Sequence, residues 1–289
     1  MTISEMIPLS AREDWTVERG VAAVSASLKG VRRLGVAFSG GVDSSLLLGL
    51  VARVLGVDSV IAILGVSPSL AAEERRVAHD VARQVGVRLV EVMTFEGDRP
   101  EYQANGPDRC FHCKEELFSR IDEGIADRYG LDAIAYGENA DDARRPDRPG
   151  ARAAVNHNVL RPLADAGMNK LAVRALAREL GMPVADKPAA PCLASRIPHH
   201  QLVTPAKLSQ IERAESALRQ LGFVELRVRH HDDVARIELP PTDLIRAVSD
   251  PVRSKVLDAV RGAGFRFVTV DVAGIQSGAF TLPLISDHG

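Results

Sequence analysis

The sequence predicts an α/β fold, in which a mostly parallel sheet carries helices on both faces, followed by a small α+β unit. Continuous apolar runs such as "SVIAILGV" (59–66) are typical of strands that are buried on both faces. Helical patterns lie between these runs, as they do when helices connect parallel strands. After about residue 200, "VELRVRHHDDVARIELP" (224–240) alternates apolar and polar residues around a central turn, which is the pattern of a hairpin.

The first predicted unit alternates strands and helices in a regular order. Its strands are the apolar runs at 33–40, 59–66, 87–95 and 131–139, and its helices are the stretches at 15–30, 44–56, 69–86 and 114–130. Ligands of such sheets bind beyond the carboxyl ends of the strands. The segments "SGGVDSS", "GVSPS" and "GENADD" fall at that edge, so we expect the functional site there.

The rest of the chain is predicted from its prolines, glycines and periodicity. Residues 140–170 are charged and rich in proline and glycine, which predicts a loop, and a helix follows at 168–183. The proline-rich stretch "DKPAAPCLASRIP" (186–198) cannot form long regular structure. A helix at 205–223, the hairpin and a strand at 265–274 make up the small α+β unit. The predicted domains are therefore residues 1–200 and 201–289.

The composition indicates a soluble globular protein. The 289 residues are 46% hydrophobic and 26% charged, with a formal net charge of −2, so neither disorder nor a strongly basic surface is expected. The opening stretch "MTISEMIPLSAREDW" has acidic residues where a signal peptide is basic, and no apolar run approaches the ~18 residues of a membrane span. These features predict a cytoplasmic protein. Its three cysteines then point to metal binding, catalysis or burial rather than to disulfides.

The stretch "FSGGVDSSLLLGL" (38–50) has the layout of a phosphate-binding loop between a buried strand and a helix. Backbone amides and hydroxyl groups at the start of the helix would bind an anion. The amides are those of Gly40, Gly41 and Val42, and the hydroxyl groups are those of Ser39, Ser44 and Ser45. The lysine of a P-loop is missing, which favours a site that holds pyrophosphate as a leaving group. Asp43 then fits as a Mg²⁺ ligand. The simpler alternative is a glycine-rich turn in which an aspartate or a serine caps the helix.

Several motifs together resemble one enzyme family. "SGGVDSS" is similar to the PP-loop signature of ATP pyrophosphatases, which adenylate a substrate and release pyrophosphate. "PDRCFHCKEELF", "GENADD", "RPLADAGMNK" and "DKPAAPCLASRIP" resemble the LarE family of sulfur-inserting enzymes, most densely from 105 to 200. The resemblance implies a Rossmann-like PP-loop domain, the cofactors ATP and Mg²⁺, a sulfur donor system and a homo-oligomer. The implied substrate is a small nucleotide, pyridinium-3,5-biscarboxylic acid mononucleotide, on the path to the nickel-pincer nucleotide cofactor.

The implied chemistry is adenylation followed by thiolation. A carboxylate is a poor electrophile, and adenylation converts it to a mixed anhydride from which a sulfur nucleophile displaces AMP. The resemblance places this sulfur on Cys192, and Lys187 and Arg196 lie close enough in sequence to favour the reactive thiolate. Simple burial of Cys192 in a proline-rich loop is the alternative.

Cys110 and Cys113 form a C-x-x-C motif, which by itself fits a redox pair, half of a zinc site or two ligands of an iron–sulfur cluster. The resemblance implies that Cys110, Cys113 and Cys192 hold a 4Fe–4S cluster with one open iron. Family members that have only the cysteine of "PCLASR" give up the sulfur of that cysteine instead. A sacrificial Cys192, a zinc site completed by a histidine such as His112, and inert cysteines remain as alternatives.

The resemblance also implies roles for the remaining candidate residues. Gly137, Asn139 and Asp142 would lie near the nucleotide, and Ser195 and Arg196 would lie beside the loop. Arg227 and Arg229, which lie on one face of a predicted strand, would bind the substrate phosphate. Glu215 and Glu238 are weaker candidates for metal or substrate contacts. For the "GENADD" residues the alternative is an ordinary turn at the end of a strand, and for the two arginines it is a solvated charged face.

Two segments depart from the family pattern. "GIQSGAF" has Ile275 and Gln276 where the family carries tyrosine and arginine, and "NVLRPL" (158–163) replaces an arginine–serine–proline pattern. These changes put the acceptor in question rather than the ATP chemistry. The rival interpretations are tRNA thiolation, amide ligation with ammonia, and an ATP-sensing protein without catalysis. The net charge of −2 and the 4% aromatic content argue against an RNA partner.

Overall fold

The structure, a computed structural model, describes residues 15–145, 149–188 and 190–276. Residues 1–14, which make up nearly all of "MTISEMIPLSAREDW", and the end of "GIQSGAF" after Gln276 lie outside the described residues. Within the described ranges, no helix combines the length and the apolar character that crossing a membrane requires.

A four-stranded parallel sheet forms the first unit and confirms the predicted α/β fold. The strand order is β3-β2-β1-β4, and the strands are β1 (Leu34–Ala37), β2 (Val60–Val66), β3 (Arg88–Met93) and β4 (Ala133–Tyr136). Every pairing is parallel, so the carboxyl ends of the strands lie at one edge. The segments "SGGVDSS" and "GENADD" follow β1 and β4, which makes them neighbours in space.

Helices cover both faces of this sheet because its strands are apolar on both sides. In β2, Val60, Ala62 and Leu64 belong to one buried cluster, and Ile61 and Ile63 belong to another. The helices of this unit are α1 (Val17–Ser27), α2 (Val42–Leu55), α3 (Ala72–Val85), α4 (Pro100–Gln103), α5 (Arg109–Arg120), α6 (Ala126–Tyr129), α7 (Ala140–Ala143), α8 (Pro149–Asn156), α9 (Pro162–Asp165) and α10 (Lys170–Glu179).

The second unit is the small α+β unit that the sequence predicts. β5 (Arg227–His231) and β6 (Val234–Glu238) form the antiparallel hairpin, and β7 (Phe267–Val270) pairs in parallel with β6. The helices are α11 (Pro205–Gln220), α12 (Pro241–Val248) and α13 (Val252–Gly262). This unit has its own buried cluster, which includes Phe223, Val228 and Ile237.

A further cluster crosses the predicted domain boundary. Tyr102 and Leu193 pack there with Leu208 and Ile211 of α11, and all four side chains are buried. The two units therefore share apolar contacts, and the boundary near residue 200 stays a prediction.

Two stretches differ from the expectation. The predicted loop at 140–170 contains the helices α7, α8 and α9. α8 packs against α5 and buries Ala153 and Ala154, a short apolar stripe that the surrounding charged residues obscure in the sequence. α5 begins at Arg109 instead of the predicted residue 114, so the C-x-x-C motif lies on a helix.

Candidate active site

The loop after β1 is shaped by two glycines and two serines. Gly40 has a left-handed φ of +71°, and a Cβ there would lie 2.9 Å from the Cα of Ala78 on α3, which favours glycine on both counts. Gly41 is the N-cap of α2. The Ser44 hydroxyl donates to the Gly41 carbonyl (3.1 Å) and accepts from the Ser39 amide (3.3 Å). The loop is therefore held at the N-terminus of α2, where backbone amides bind anions.

Gly137 brings the segment after β4 against the start of α2. A Cβ at this position would lie 2.5 Å from the Ser44 amide nitrogen and 2.8 Å from the carbonyl carbon of Asp43. No larger residue fits without a shift of the backbone. Val42 and Ser45 are buried in the same turn of α2, and the Ser45 hydroxyl has no hydrogen-bond partner among the described residues.

Asp43 lies in a polar cluster at the edge of the sheet. Its Oδ1 accepts a hydrogen bond from Asn139 Nδ2 (3.0 Å), and its Oδ2 contacts Lys170 Nζ. Asn139 Nδ2 also donates to Asp142 (2.9 Å), while Asn139 Oδ1 caps α7 by accepting from the amides of Asp141 and Asp142. The structure thus brings Asp43, Asn139 and Asp142 together, and carboxylates at such a site suit a hydrated Mg²⁺.

Lys170 is a candidate that the sequence analysis missed. Asn169 caps α10 by accepting from the Ala172 amide (2.9 Å), so Lys170 occupies the first helical position. The Lys170 amide donates to Asp141 (2.8 Å), and its ammonium group reaches Asp43, 127 residues away in sequence. Another helix therefore supplies a lysine beside a loop that has none. The asparagine cap could have located the start of α10 but not this contact.

Two cavities meet at the loop. One, which we call the sheet-end cavity, has a volume of about 310 Å³ and an apolar wall that includes Leu64, Leu117 and Phe118. The other, which we call the cationic cavity, has about 410 Å³ and four basic side chains in its lining: Lys170, Arg174, Lys187 and Arg227. Both are lined by loop residues and by Cys192. An apolar cavity beside a cationic one suits a base on one side and phosphates on the other.

Two of the three cysteines line the sheet-end cavity, and Cys110 lies one turn before Cys113 on α5. Cys110 and Cys113 are three residues apart on α5 and so share one face of the helix, and Cys192 precedes a 3₁₀ turn (Leu193–Arg196). Cys113 and Cys192 line the cavity, and Cys110 and Cys192 are exposed. Burial raises the pKa of the Cys113 thiol, and the charges of Glu96, Cys192 and Cys110 raise it further.

Arg109 is the buried cation of this region. It donates to the Ala194 carbonyl (3.0 Å) and contacts Asn105. Burial opposes its charge, but the neighbouring Cys192 and Cys110 outweigh burial and raise the pKa of Arg109. The three cysteines therefore share one electrostatic environment. In the part of the chain that the structure describes, however, no group of three or more histidine, cysteine, aspartate or glutamate side chains is arranged as a metal site.

Two buried ion pairs lie where the 3₁₀ turn meets the second unit. Arg196 Nε donates to Glu215 (2.8 Å), and Arg229 makes two hydrogen bonds to Glu238 (2.9 and 2.8 Å). Arg229 also donates to the Ser195 carbonyl (2.8 Å), and the Ser195 hydroxyl accepts from Arg196 (2.9 Å). Glu215 and Glu238 thus give two buried guanidinium groups the partners that burial requires.

Arg227 differs from Arg229 because it lines the cationic cavity. Both guanidinium groups donate to the main-chain carbonyl of Gln276, at 2.6 Å from Arg227 and 3.0 Å from Arg229. Burial lowers the pKa of Arg227, and the positive charges of Arg229 and Arg196 lower it further. An anion in the cationic cavity would offset this repulsion.

A phosphate loop after the first strand of a parallel sheet, with an aspartate and no lysine, defines the class of PP-loop ATP pyrophosphatases. The sequence model of the asparagine synthase family matches residues 20–105, which include this loop. The chain is 41% identical over 243 residues to an uncharacterized protein of Synechocystis sp., with 84% of this chain and 90% of the relative covered. It is 35% identical over 259 residues to the pyridinium-3,5-bisthiocarboxylic acid mononucleotide synthase of Lactiplantibacillus plantarum, with 89% of this chain and 92% of the relative covered. The chain belongs to the LarE family of ATP-dependent sulfurtransferases.

A relative of another function covers less of the chain. The tRNA-specific 2-thiouridylase of Azorhizobium caulinodans is 34% identical over 193 residues, which cover 54% of this chain and 49% of the relative. Membership of the LarE family makes the protein an enzyme that uses ATP and Mg²⁺.

Proposed function

We propose that the protein adenylates a carboxylate of pyridinium-3,5-biscarboxylic acid mononucleotide and then replaces AMP by sulfur. The Lactiplantibacillus plantarum relative is a synthase of the corresponding bisthiocarboxylic acid mononucleotide. The observation that carries the proposal is the position of Cys192, which lines both the sheet-end and the cationic cavity. A sulfur presented at this junction would reach an acyl group on the α-phosphate of a nucleotide held by the loop.

In the first step, a carboxylate oxygen of the acceptor attacks the α-phosphorus of ATP, and pyrophosphate leaves. The loop from Ser39 to Ser45 would hold the pyrophosphate, and Mg²⁺ bound through Asp43 would offset its charge. Gly137, Asn139 and Asp142 would border the nucleotide. In the second step, sulfide adds to the acyl carbon, AMP leaves, and the proton of the sulfide passes to solvent.

We assign the nucleotide to the unit formed by residues 1–200 and the acceptor mainly to residues 201–289. Arg227 would bind the phosphate of the acceptor, because it lines the cationic cavity and can form paired hydrogen bonds to a phosphate. Arg229, Ser195 and Arg196 would hold the cysteine loop against β5 through their buried hydrogen bonds.

We also propose that Cys110, Cys113 and Cys192 hold a 4Fe–4S cluster. They are the three cysteines of the chain. Burial is the largest influence on the pKa of Cys113 and of Arg109, and Cys192 and Cys110 raise both pKa values. Ligation requires thiolates, and the positive charge of Arg109 would help to offset the charge of three of them. When bound, the cluster would supply sulfide without consumption of a cysteine.

The test is the content of iron and acid-labile sulfide in protein that has been purified and reconstituted without oxygen. We expect about four of each per chain and an absorption band near ~400 nm, both lost in Cys192→Ser and in Cys110→Ser. The matched control is His112→Asn, which changes the residue between the two α5 cysteines but leaves every thiol in place. This variant should keep its iron.

Other outcomes would assign the cysteines differently. Iron-free protein that turns over once, with a fall in intact mass of one H₂S per chain, would identify Cys192 as a sacrificial sulfur donor. Loss of a bound metal in His112→Asn, with zinc in the wild type, would identify a zinc site. Either result would overturn the cluster assignment.

The acceptor is tested separately through pyrophosphate release and mass spectrometry of the product. With the pyridinium mononucleotide, ATP and sulfide, we expect one pyrophosphate per thiocarboxylate formed. The similarity to the tRNA-specific 2-thiouridylase makes unmodified tRNA the second acceptor to examine. Sulfur incorporation into tRNA alone would replace our acceptor with RNA, and equal turnover with ammonia in a protein without cysteines would indicate amide ligation.

A further inference from the structure

Glu96 is a buried carboxylate that uses only one of its two oxygens. It lies in the 3₁₀ turn after β3 (Glu96–Asp98), and its side chain is only 2% exposed. Its Oε1 accepts hydrogen bonds from the hydroxyls of Ser67 (2.5 Å) and Ser69 (3.1 Å). Its Oε2 is buried and has no hydrogen-bond partner among the described residues. An unpaired buried carboxylate oxygen is unfavourable, so a ligand that donates a hydrogen bond would stabilise it.

The unpaired oxygen belongs to the wall of the sheet-end cavity. Glu96, Ser67 and Ser69 line this cavity together with loop residues and the apolar wall. The two serine hydroxyls are also 2.8 Å apart, so they fix the carboxylate from one side. An ionised carboxylate can only accept hydrogen bonds and repels phosphate. Its partner must therefore be a neutral or positively charged donor group.

The neighbours of Glu96 indicate which donor of a nucleotide would face it. The carbonyl of Ser69 accepts from the amide of Leu193, the residue after Cys192 (2.9 Å). The charge of Glu96 also contributes to the raised pKa of Cys113. Glu96 therefore lies near Cys113 and Cys192, which line the same cavity. Cys113 precedes Leu117 by one turn of α5, so the apolar wall adjoins the cysteines.

The proposed reaction places the ribose of the nucleotide near the cysteines. The attacking sulfur must approach an acyl group that is joined to the α-phosphate, and the ribose is joined to the same phosphate. The exocyclic amine of adenine lies at the other end of the nucleoside, away from the α-phosphate. We propose that Glu96 accepts a hydrogen bond from a ribose hydroxyl of the bound nucleotide and so selects ribonucleotides over deoxyribonucleotides. This inference rests on the proposed function of the same site.

The test is calorimetric binding of Mg²⁺ complexes of ATP, 2′-deoxy-ATP and 3′-deoxy-ATP to the full chain. Because a hydrogen bond to a charged group is strong, the wild type should bind at least one deoxy analogue about 10-fold or more weakly than ATP. Glu96→Met keeps the length of the side chain without its oxygens, and it should bind ATP and that analogue equally. The matched control is Thr94→Val, a nearly isosteric change in the same cavity lining, which should keep the discrimination.

The experiment distinguishes failure of this inference from failure of the proposed function. If the wild type binds none of the three nucleotides, the nucleotide site itself is wrong. If it binds ATP and both deoxy analogues equally, or if Glu96→Met keeps the wild-type discrimination, Glu96 does not recognise ribose. The wild-type comparison can refute the inference even where Glu96→Met fails to fold. Purine riboside triphosphate, which lacks the exocyclic amine, completes the set of nucleotides. If the wild type binds this analogue about 10-fold more weakly than ATP and Glu96→Met abolishes the difference, Glu96 recognises the base and the ribose contact is overturned.

Discussion

Replacement of Lys170 by methionine should weaken binding of Mg·ATP by about 10- to 100-fold. The ammonium group contacts Asp43 and lines the cationic cavity beside the phosphate loop. Methionine keeps an unbranched chain but removes the charge. A hydrogen bond from an ammonium group to a phosphate oxygen contributes about 1.5–3 kcal/mol, from which the expected change in dissociation constant follows.

The fold should change little in this variant. The side chains of Lys170 and Asp43 are 39% and 20% exposed, so solvent screens the ion pair and its loss costs about 1 kcal/mol or less. The affinity for Mg²⁺ alone should rise, because the ammonium group no longer competes with the metal for the carboxylate of Asp43. A weaker affinity for ATP combined with a stronger affinity for Mg²⁺ is a result that general destabilisation does not produce.

The assay is isothermal titration with Mg·ATP and with Mg²⁺, accompanied by a thermal unfolding curve. Lys207→Met is the matched control, because Lys207 also forms an ion pair with an aspartate, Asp232 (3.5 Å), and is not among the described residues that line the two cavities. It should leave both affinities unchanged. If Lys170→Met binds Mg·ATP as tightly as the wild type does, Lys170 serves only as the partner of Asp43 and the reasoning is refuted.

Two further substitutions test the packing and the electrostatics of the sheet. Gly137→Ala should lower the free energy of unfolding by about 1–3 kcal/mol and weaken ATP binding, because the new Cβ would meet the Ser44 amide at 2.5 Å. The measurement is thermal unfolding, with Gly41→Ala as the control. This control should lose much less stability, since its Cβ would meet only a hydroxyl at 3.4 Å. Glu91→Gln should destabilise the protein at neutral pH, because the hydrogen bond from Arg75 lowers the pKa of Glu91 from 4.5 to about 2. A carboxyl group with a lowered pKa stabilises the fold above pH 4.5, and this stabilisation is lost as the pH falls toward 2. The difference in unfolding midpoint between variant and wild type should therefore shrink over that range. A difference that stays constant with pH would contradict the assignment.

The sequence predicts best what neighbouring residues decide among themselves. The strands of the parallel sheet are buried on both faces and therefore read as continuous apolar runs. The phosphate loop is equally local, since two glycines and the start of α2 lie within a few residues of each other. The hairpin of β5 and β6 follows from alternation around a short turn.

The sequence does not reveal contacts between distant segments. Lys170 reaches Asp43 across 127 residues, and Ser67 reaches Glu96 across 29. Nothing in the local pattern of either stretch identifies its partner, because the two meet only when parallel strands bring their carboxyl ends to one edge. α8 was missed for a related reason: Ala153 and Ala154 are buried by α5, and a two-residue apolar stripe carries little helical signal on its own.

We expect the departure from the family pattern at residue 276 to affect the acceptor rather than ATP. The main-chain carbonyl of Gln276 accepts from Arg227 and Arg229, and such a carbonyl is present whatever the side chain is. Glutamine in place of arginine therefore keeps this anchor and removes one positive charge. Glu238 already neutralises Arg229 at 2.8 Å, and Glu74 pairs with Lys187 at 2.7 Å. We therefore expect recognition of an acceptor phosphate to depend mainly on Arg227. This expectation favours an acceptor that one guanidinium group can bind through a single phosphate over one that needs two arginines.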